Sequence, residues 1–417
     1  MGVREVKRLK VLISAYACEP EKGSESGVGW NVALQMAKYH DVWVITRSNN
    51  RSSIEAALKR CDQPKPHFLY YDLPKWIRFW KKGGRGVRAY YYMWQMGILI
   101  LIRSLHRTMN FELIHHVTFV KFWTPSFLSF LPIPFLWGPI GGGDTTPVVL
   151  RTELDFKSKM YETGRHLALW IGEHDPFVWR TAARSRMGIA TTKETACRLR
   201  KLGVSNIKLY GEAGLEMSAI AQLTQSSKRS DSSFRFVTIG RLLGFKGVFL
   251  ALRAFAQANL LHCEYWIIGD GPDRRRLEKL VESLGIAERV KFFGEIPRSK
   301  VLSKLGECNV LVHPSFHESG GWVCLEAMAA ARPVICLDHS GPATQVTDKT
   351  GILISVNSTE QVLRDMGEAM QKLAYTPFLC EQMGRAGRER VLQDYSWDSK
   401  VDVLNEFYHE VALQGSP

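Results

Sequence analysis

The sequence lacks the features that mark three common classes of protein. No apolar run reaches the roughly 18 residues that a membrane-spanning helix needs. The eight cysteines are scattered without a CxxC pair, which indicates reduced thiols and argues against a disulfide framework or a zinc site. No full dinucleotide fingerprint follows any predicted strand, so an NAD-dependent enzyme is disfavoured. A metal-carboxylate motif is also missing.

The composition is that of an ordinary globular protein. A chain of 417 residues with 45% hydrophobic and 23% charged residues is expected to form about two domains. A basic start and the apolar residues 11–18 are similar to a signal peptide, but this run is short and enters a polar segment without a cleavage site. We therefore interpret it as a first β-strand and expect a cytoplasmic protein.

One stretch in the second half has the pattern of a ligand site. Apolar residues 309–312 predict a buried strand, a Gly-rich turn follows, and residues 322–331 predict a helix that Pro333 ends. The backbone N–H groups at the start of such a helix can hold a phosphate. Glu318 and Glu326 flank this start, where two carboxylates could bind hydroxyls of a sugar or ribose. The alternative is two solvated surface glutamates.

These residues resemble a known family. Two glutamates eight apart in an ESGG…LEAMA…PVI context are similar to the signature of the large family of retaining GT-B glycosyltransferases. The resemblance implies that Glu318 is catalytic and contacts the donor sugar, and that Glu326 contacts the ribose of a nucleotide. The turn residues of the motif are expected to bind the donor as well, and these are Ser319, Gly320 and Gly321.

Two cations follow another predicted strand of the second half. Arg241 and Lys246 flank a turn between the strand at 234–239 and a predicted helix at 248–258. Placed there they could hold a diphosphate, and the alternative is a pair of surface cations. The family has the same arginine and lysine, five apart, on the donor diphosphate. A later loop is similar to the one whose backbone meets the nucleotide base in the family, and it contains Gly294, Glu295 and Ile296.

The first half contains glycine loops that are weaker signals. Gly27 and Gly29 precede a predicted helix at 31–39, and the family places this loop across the cleft from the donor phosphates. Gly141 and Gly142 follow a predicted strand, where the ligands of α/β proteins bind. Tight-turn glycines and a flexible loop are the respective alternatives.

A histidine pair ends the predicted strand at 113–117. Family members have a functional histidine after this strand, commonly as HxH, but here Val117 stands in place of the second histidine of that pattern. The resemblance therefore indicates a catalytic role for His115 or His116. Because neighbouring strand residues point to opposite faces, only one of them is expected to face the reaction centre. We favour His116, and the alternative is a hydrogen-bonded core histidine.

The expected fold is α/β, of GT-B type, with two Rossmann-like domains facing a central cleft. We expect an acceptor-binding domain at 1–215, a linker at 216–233, a nucleotide-sugar-binding domain at 234–395 and a helix at 396–417 that returns to the first domain. The expected function is retaining hexosyl transfer from a UDP- or GDP-sugar, without a metal or other cofactor, in surface polysaccharide or glycolipid biosynthesis. A GT-B nucleotide-sugar epimerase and a non-catalytic membrane- or RNA-binding protein remain alternatives.

The charge distribution bears on the acceptor. The whole formal net charge of +14 arises in the first 200 residues, since residues 201–417 carry equal numbers of acidic and basic side chains. Residues 75–107 contain no acidic residue. The basic and aromatic residues there are Lys75, Trp76, Arg78, Phe79, Trp80, Lys81, Lys82, Arg85, Arg88, Tyr90, Tyr91, Tyr92, Trp94, Arg103 and Arg107.

This composition favours an anionic membrane surface as a partner. Aromatic rings prefer the headgroup level, and each cation near an anionic leaflet contributes about 1 kcal/mol. We expect peripheral association with the inner face of the plasma membrane and a lipid-linked acceptor sugar. The alternative is that the aromatic residues are core and the cations form an ordinary solvated face. No RNA-binding motif accompanies the patch, so a nucleic-acid partner is not expected.

Overall fold

The computed structural model describes residues 7–74, 76–77, 86–225 and 233–413, and the chain divides into two compact units. The first unit comprises Met1–Gly143, Leu167–Glu212 and Lys400–Pro417, and the second comprises Asp144–His166 and Ala213–Ser399. Each unit is built on one parallel sheet flanked by helices. The predicted α/β fold with two Rossmann-like domains is therefore confirmed.

The sheet of the first unit has seven parallel strands in the order β3-β2-β1-β4-β5-β6-β7. Its central strands are buried on both faces, which explains their continuous apolar runs. Chain order reverses between β1 and β4, which are neighbours in the sheet. The strands are β1 (Lys10–Ala15), β2 (Asp41–Thr46), β3 (His67–Tyr70), β4 (Leu113–Thr118), β5 (Phe135–Ile140), β6 (Met187–Ala190) and β7 (Ile207–Leu209).

Seven helices contribute to the first unit within the described residues. The division between the units falls inside two of them, so that α4 enters this unit at Leu167 and α15 enters it at Lys400. The helices are α1 (Ser24–Met36), α2 (Arg51–Lys59), α3 (Val87–Met109), α4 (Phe156–Glu173), α5 (Pro176–Arg184), α6 (Lys193–Lys201) and α15 (Trp397–Leu413).

The second unit has six parallel strands in the order β10-β9-β8-β11-β12-β13, and chain order reverses between β8 and β11. The strands are β8 (Phe234–Ile239), β9 (Cys263–Ile268), β10 (Val290–Gly294), β11 (Val310–His313), β12 (Val334–Leu337) and β13 (Gly351–Ile354). Its further helices are α7 (Met217–Gln225), α8 (Val248–Gln257), α9 (Arg274–Ser283), α10 (Arg298–Gly306), α11 (Trp322–Ala329), α12 (Pro342–Gln345), α13 (Thr359–Tyr375) and α14 (Pro377–Arg390).

The unit boundaries differ from the predicted domain boundaries in two places. Residues 144–166 belong to the second unit, where Leu150 and Leu154 join its hydrophobic core. The segment predicted as a linker, 216–233, begins with helix α7, whose Ile220 and Leu223 are buried. Polar composition alone therefore did not reveal the apolar face by which this helix joins a hydrophobic core of the second unit.

The first helix begins earlier than predicted. Because α1 starts at Ser24, Gly27 and Gly29 lie inside the helix and are buried. A Cβ atom at Gly29 would lie 2.3 Å from the carbonyl oxygen of Ala17, and one at Gly27 would lie 2.1 Å from that of Lys22. These glycines therefore allow close backbone packing, and their prediction as a glycine loop ahead of the helix is wrong.

The aromatic residues of α3 are not a surface belt. Tyr90, Tyr91 and Trp94 are buried in the core of the first unit, whereas Trp76 is 75% exposed. The helix is amphipathic, so its ring side chains pack on the sheet while Arg103 and Arg107 face solvent. Lys75, Arg78, Phe79, Trp80, Lys81, Lys82 and Arg85 lie outside the described residues. Among the helices that the structure describes, none has the length and apolar character needed to cross a bilayer.

His115 joins the sheet of the first unit to its last helix. Its Nε2–H donates to the carbonyl oxygen of Gly138 over 2.6 Å, so Nδ1 accepts the hydroxyl hydrogen of Tyr408 over 2.8 Å. Burial of the ring lowers the pKa of His115 to about 4, and the imidazole is neutral at pH 7. Both ring nitrogens are thus occupied by structural hydrogen bonds.

Replacing Tyr408 by Phe should destabilise the first unit by about 1–3 kcal/mol, because a buried acceptor of His115 loses its donor. Tyr39→Phe is the control, since its hydroxyl donates to Asp402 Oδ1 at the surface over 3.0 Å. The control should change the free energy of unfolding by no more than about 0.5 kcal/mol. Urea unfolding of both variants compares them, and equal effects would contradict this role for Tyr408.

Candidate active site

The predicted donor residues gather at one edge of the second sheet. Because all six strands are parallel, the loops after β8, β10 and β11 leave the sheet at the same, carboxyl edge. Ligands of open α/β sheets bind at this edge, where the chain order of neighbouring strands reverses. Here that place lies between β8 and β11, and it is where Lys246 and Glu318 meet.

Lys246 and Glu318 form an ion pair between these two loops. Their side chains are only 21% and 24% exposed. Burial by itself would raise the pKa of Glu318. The charge of Lys246, the influence of His313 and the hydrogen bonds from Lys246 and the Gly321 N–H together outweigh burial, so the net pKa is lowered. The carboxylate is therefore charged at neutral pH and can accept hydrogen bonds from sugar hydroxyls.

Arg241 lies in the same loop and is exposed. It forms no ion pair with any residue that the structure describes. The loop itself is tightly built: Phe316 N donates to the carbonyl oxygen of Phe245 over 2.8 Å, which ties it to the loop after β11. The edge thus presents a solvent-facing guanidinium and a half-buried ammonium, the two groups that sequence reasoning assigned to a diphosphate.

Glu326 has a partner that the sequence did not suggest. It lies inside α11, is 4% exposed, and accepts a hydrogen bond from Arg298 at the start of α10. Burial raises the pKa of Glu326, and Arg298 opposes that rise. Arg298 is itself largely exposed and follows the loop after β10. Arg298 therefore holds one oxygen of the Glu326 carboxylate in place.

Two hydrogen bonds hold the turn at the start of α11 in place. Gly320 accepts a hydrogen bond at its carbonyl oxygen from Gln345 Nε2 over 2.6 Å, and Glu318 accepts one at its carbonyl oxygen from Gly341 N over 2.7 Å. Gly321 has a left-handed backbone and caps the helix. Ser319, Gly320 and Gly321 therefore form a rigid turn beside the ion pair. The spacing of the motif did not reveal Gln345.

The loop predicted to meet a base follows β10. Gly294 has a φ of +68° and accepts a hydrogen bond from Gly269 N over 2.8 Å, which joins the ends of β9 and β10. Glu295 is exposed and Ile296 is half-buried. This loop leads directly to Arg298, so the partner of Glu326 lies next to the predicted base contacts in the chain.

The first unit contains a cavity of about 630 Å³. It lies against the loop after β4, where the chain order of the sheet reverses. Aromatic and apolar side chains form most of its wall, namely Tyr91, Tyr92, Phe119, Trp123, Pro125 and Ile171. Arg88, Lys121 and Asp175 contribute charges. Such a lining suits a ligand with a substantial apolar part and an anionic group.

Of the remaining predicted residues of the first unit, His116, Gly141 and Gly142 each contact a residue that lines this cavity. His116 is 1% exposed, and its Nε2 is 2.7 Å from the hydroxyl of Tyr91, which lines the cavity. Burial lowers the pKa of His116 to about 3. Gly142 approaches Trp123 so closely that a Cβ atom would lie 2.4 Å from the ring, and Gly141 bridges to Lys121. Neither histidine lines the cavity.

One further feature of the donor residues was not predicted from the sequence. His313 ends β11 near the ion pair, and burial lowers its pKa to about 4, with Lys246 adding to the effect. Within the described part of the chain, no group of three or more His, Cys, Asp or Glu side chains could hold a metal ion. All eight cysteines are free thiols, as predicted.

The carboxyl edge of the second sheet, called the donor edge here, lies in a range of the chain that is similar to a known family. Residues 220–390 match the model of the family "Glycosyl transferases group 1". This range contains the loops after β8, β10 and β11, and hence every predicted donor-binding residue. The second unit is thus similar to the group 1 glycosyl transferases over this range.

The chain is also similar to curated proteins and to solved structures. The chain is 26% identical over 230 residues to the lipopolysaccharide core biosynthesis glycosyltransferase LpsD of Rhizobium meliloti, covering 53% of this chain and 62% of that protein. The chain spans about half the length of the curated relatives it matches. Sucrose-phosphate synthase from Thermosynechococcus elongatus has a TM-score of 0.65 at 18% identity, covering 97% and 99% of the two chains.

A third comparison concerns Anabaena HepE in complex with UDP, which has a TM-score of 0.61 at 15% identity and covers 96% of this chain and 100% of that one. At these identities the two structures establish the fold alone. Together with the two parallel sheets, they show that this chain has the GT-B fold.

Gly247→Ala should deform the donor edge more than Gly285→Ala does. Both glycines have φ near +65°, so alanine costs about 1–2 kcal/mol at either position. Only at Gly247 would the added Cβ meet a backbone atom, the carbonyl oxygen of Pro314 at 2.2 Å, whereas Gly285 has open space. Thermal unfolding should show the larger loss for Gly247→Ala. Equal melting temperatures would contradict the close approach.

Proposed function

We propose that this protein is a retaining glycosyltransferase that moves a hexosyl group from a nucleotide-sugar to an acceptor. The observation that carries the proposal is the meeting of Lys246 and Glu318 at the point of strand-order reversal, with Arg241 exposed beside them. An ammonium, a guanidinium and a charged carboxylate at one sheet edge match a diphosphate and a sugar. The family match of residues 220–390 supports the same reaction class.

The proposed chemistry follows from where charge develops. As the bond between the anomeric carbon and the diphosphate breaks, negative charge accumulates on the leaving phosphate oxygens. Arg241, Lys246 and the N–H groups at the start of α11 stabilise that charge, which is the main electrostatic contribution to such a reaction. Glu318 accepts hydrogen bonds from hydroxyls of the transferred sugar, and the oxygen of Glu326 not bonded to Arg298 is left for a ribose hydroxyl. No step requires a metal ion.

We propose a UDP- or GDP-sugar as the donor. The loop at Gly294, Glu295 and Ile296 offers backbone groups for the base, and its φ of +68° at Gly294 brings the main chain close to the edge. The fold neighbour from Anabaena was solved with UDP, which supports a uridine donor without deciding between the two nucleotides.

The acceptor is proposed to bind in the first unit and to be lipid-linked. The cavity there combines a mostly apolar wall with Arg88 and Lys121, which fits an acceptor that joins a phosphate to an apolar chain. Large apolar side chains on α4 and α5 of the same unit are exposed: Leu167, Trp170, Ile171, Phe177 and Trp179. They replace the buried rings of α3 as the candidate membrane contact, and the lipopolysaccharide relative supports a role in surface polysaccharide or glycolipid assembly.

Two alternatives make different predictions from the same residues. A nucleotide-sugar epimerase would use the same donor edge but would convert the donor without an acceptor. A non-catalytic membrane- or RNA-binding protein would not need the half-buried pair of Lys246 and Glu318, which is costly to desolvate without a ligand role.

The central experiment measures nucleotide release from a panel of sugar nucleotides, together with binding of UDP and GDP by calorimetry. Arg241→Ala should weaken diphosphate binding about tenfold or more, since a charge-assisted bond to phosphate contributes about 1.5–3 kcal/mol. Glu318→Gln should keep diphosphate binding and lose most turnover. Arg275→Ala, in the neighbouring helix α9, is the control. Full turnover by Glu318→Gln, or unchanged affinity in Arg241→Ala, would contradict the assignment.

Membrane association is tested by co-sedimentation with vesicles. Trp170→Ser should reduce binding to anionic vesicles at low salt several-fold, because Trp170 is 59% exposed on the first unit. Tyr375→Ser, which removes a ring 72% exposed on the second unit, is the control and should leave binding unchanged. If the wild-type protein stays in the supernatant with anionic vesicles at low salt, the acceptor is a soluble molecule.

A further inference from the structure

Residues 144–166, called the strap here, lie outside the sequence motifs discussed above. The strap precedes the last strands of the first unit in the chain, yet it packs on the second unit. Leu150 and Leu154 sit in the core of that unit, and Glu153 pairs with Arg253 over 2.8 Å. The strap is thus a part of the second unit, and its residues Tyr161 and Glu162 contact the loops after β8 and β11.

A buried hydrogen bond joins the strap to the residue before Glu318. His317 Nε2 lies 2.9 Å from Glu162 Oε1, and the two residues are 9% and 4% exposed. Burial alone would raise the pKa of Glu162, but the hydrogen bond and attraction to His317, together with Arg165 and Thr146, outweigh burial, and the net pKa is lowered. Because a charged carboxylate only accepts hydrogen bonds, His317 Nε2–H is the donor.

The ring of Phe245, the residue before Lys246, packs against both His317 and the strap. The ring of Phe245 stacks on the His317 ring with centroids 4.2 Å apart and planes 19° apart. Tyr161, next to Glu162 in the strap, lies nearly parallel to Phe245 at 5.9 Å. Phe245 and His317 immediately precede Lys246 and Glu318. The strap therefore contacts Phe245 and His317, the residues that precede the two members of the ion pair.

Three further contacts join the strap to the loops after β8, β11 and β12. His339 Nε2–H donates to the carbonyl oxygen of Thr145 over 2.9 Å. Asp144 Oδ1 lies 3.5 Å from Ser319 Oγ, beside the turn at the start of α11. Ser158 packs on Gly244 so closely that a Cβ atom there would lie 2.2 Å from its hydroxyl oxygen. A displacement of the strap would therefore displace the loops that carry Lys246 and Glu318.

We propose that Glu162 is a positioning residue for Glu318, acting through His317, and that the strap sets the geometry in which the donor sugar meets that carboxylate. The proposal rests on the proposed function for its kinetic consequence. Glu162 touches neither Arg241 nor Lys246, so it should act on the placement of the sugar and leave diphosphate binding alone. A misplacement of about 1 Å at the reacting centre can cost on the order of a hundredfold in rate.

The test compares Glu162→Gln with Glu153→Gln, which alters the same strap at its pair with Arg253, away from the donor loops. Glu162→Gln should lower kcat at least about tenfold while the Kd for UDP or GDP stays within about twofold. Amide hydrogen exchange of a peptide covering residues 313–322 should accelerate. Glu153→Gln should leave kcat, Kd and exchange of that peptide near the wild-type values.

His317→Asn removes the same hydrogen bond from the other side and serves if Glu162→Gln folds poorly. The double variant should be no slower than the slower single variant, because both changes remove one interaction. Wild-type kcat and unchanged exchange in Glu162→Gln would overturn the proposal. If the wild-type protein neither binds nucleoside diphosphates nor turns over any sugar nucleotide, the proposed function fails, while the exchange experiment still decides whether Glu162 orders the loop.

Discussion

The ion pair between Lys246 and Glu318 is the interaction on which the rest of the donor edge depends. Two opposite charges that are about one-fifth exposed recover their desolvation cost only when geometry holds them together. Here the loops after β8 and β11 supply that geometry through a backbone hydrogen bond between Phe245 and Phe316. A diphosphate at this edge would compete with Glu318 for the ammonium and so free the carboxylate for the sugar.

Both units place their ligand features by the same physical rule. Parallel strands send all their following loops to one edge, and a gap opens where chain order reverses. In the second unit that gap holds the ion pair, and in the first it adjoins the cavity lined by Tyr91 and Trp123. The strand order thus sets the positions of the cavity and the donor edge. The side chains make the cavity wall mostly apolar and the donor edge charged.

The features predictable from the sequence were those encoded locally. Strand β8 has the predicted bounds because an apolar run bounded by turns reports them, and the loops with Arg241 and Glu318 follow from strand ends. The pairing of Arg298 with Glu326, and of Glu162 with His317, joins residues 28 and 155 positions apart. No periodicity encodes such contacts. The rings of α3 were misread because composition does not say which helix face packs on the sheet.

A crystal structure of the full chain with a nucleoside diphosphate tests the central claim most directly. The account predicts phosphate oxygens within about 3 Å of both the Arg241 guanidinium and Lys246 Nζ, with the base beside the loop at Gly294. It also predicts that Glu318 moves away from Lys246 and points to the position of the sugar. Phosphates bound elsewhere, with the pair of Lys246 and Glu318 undisturbed, would contradict the account.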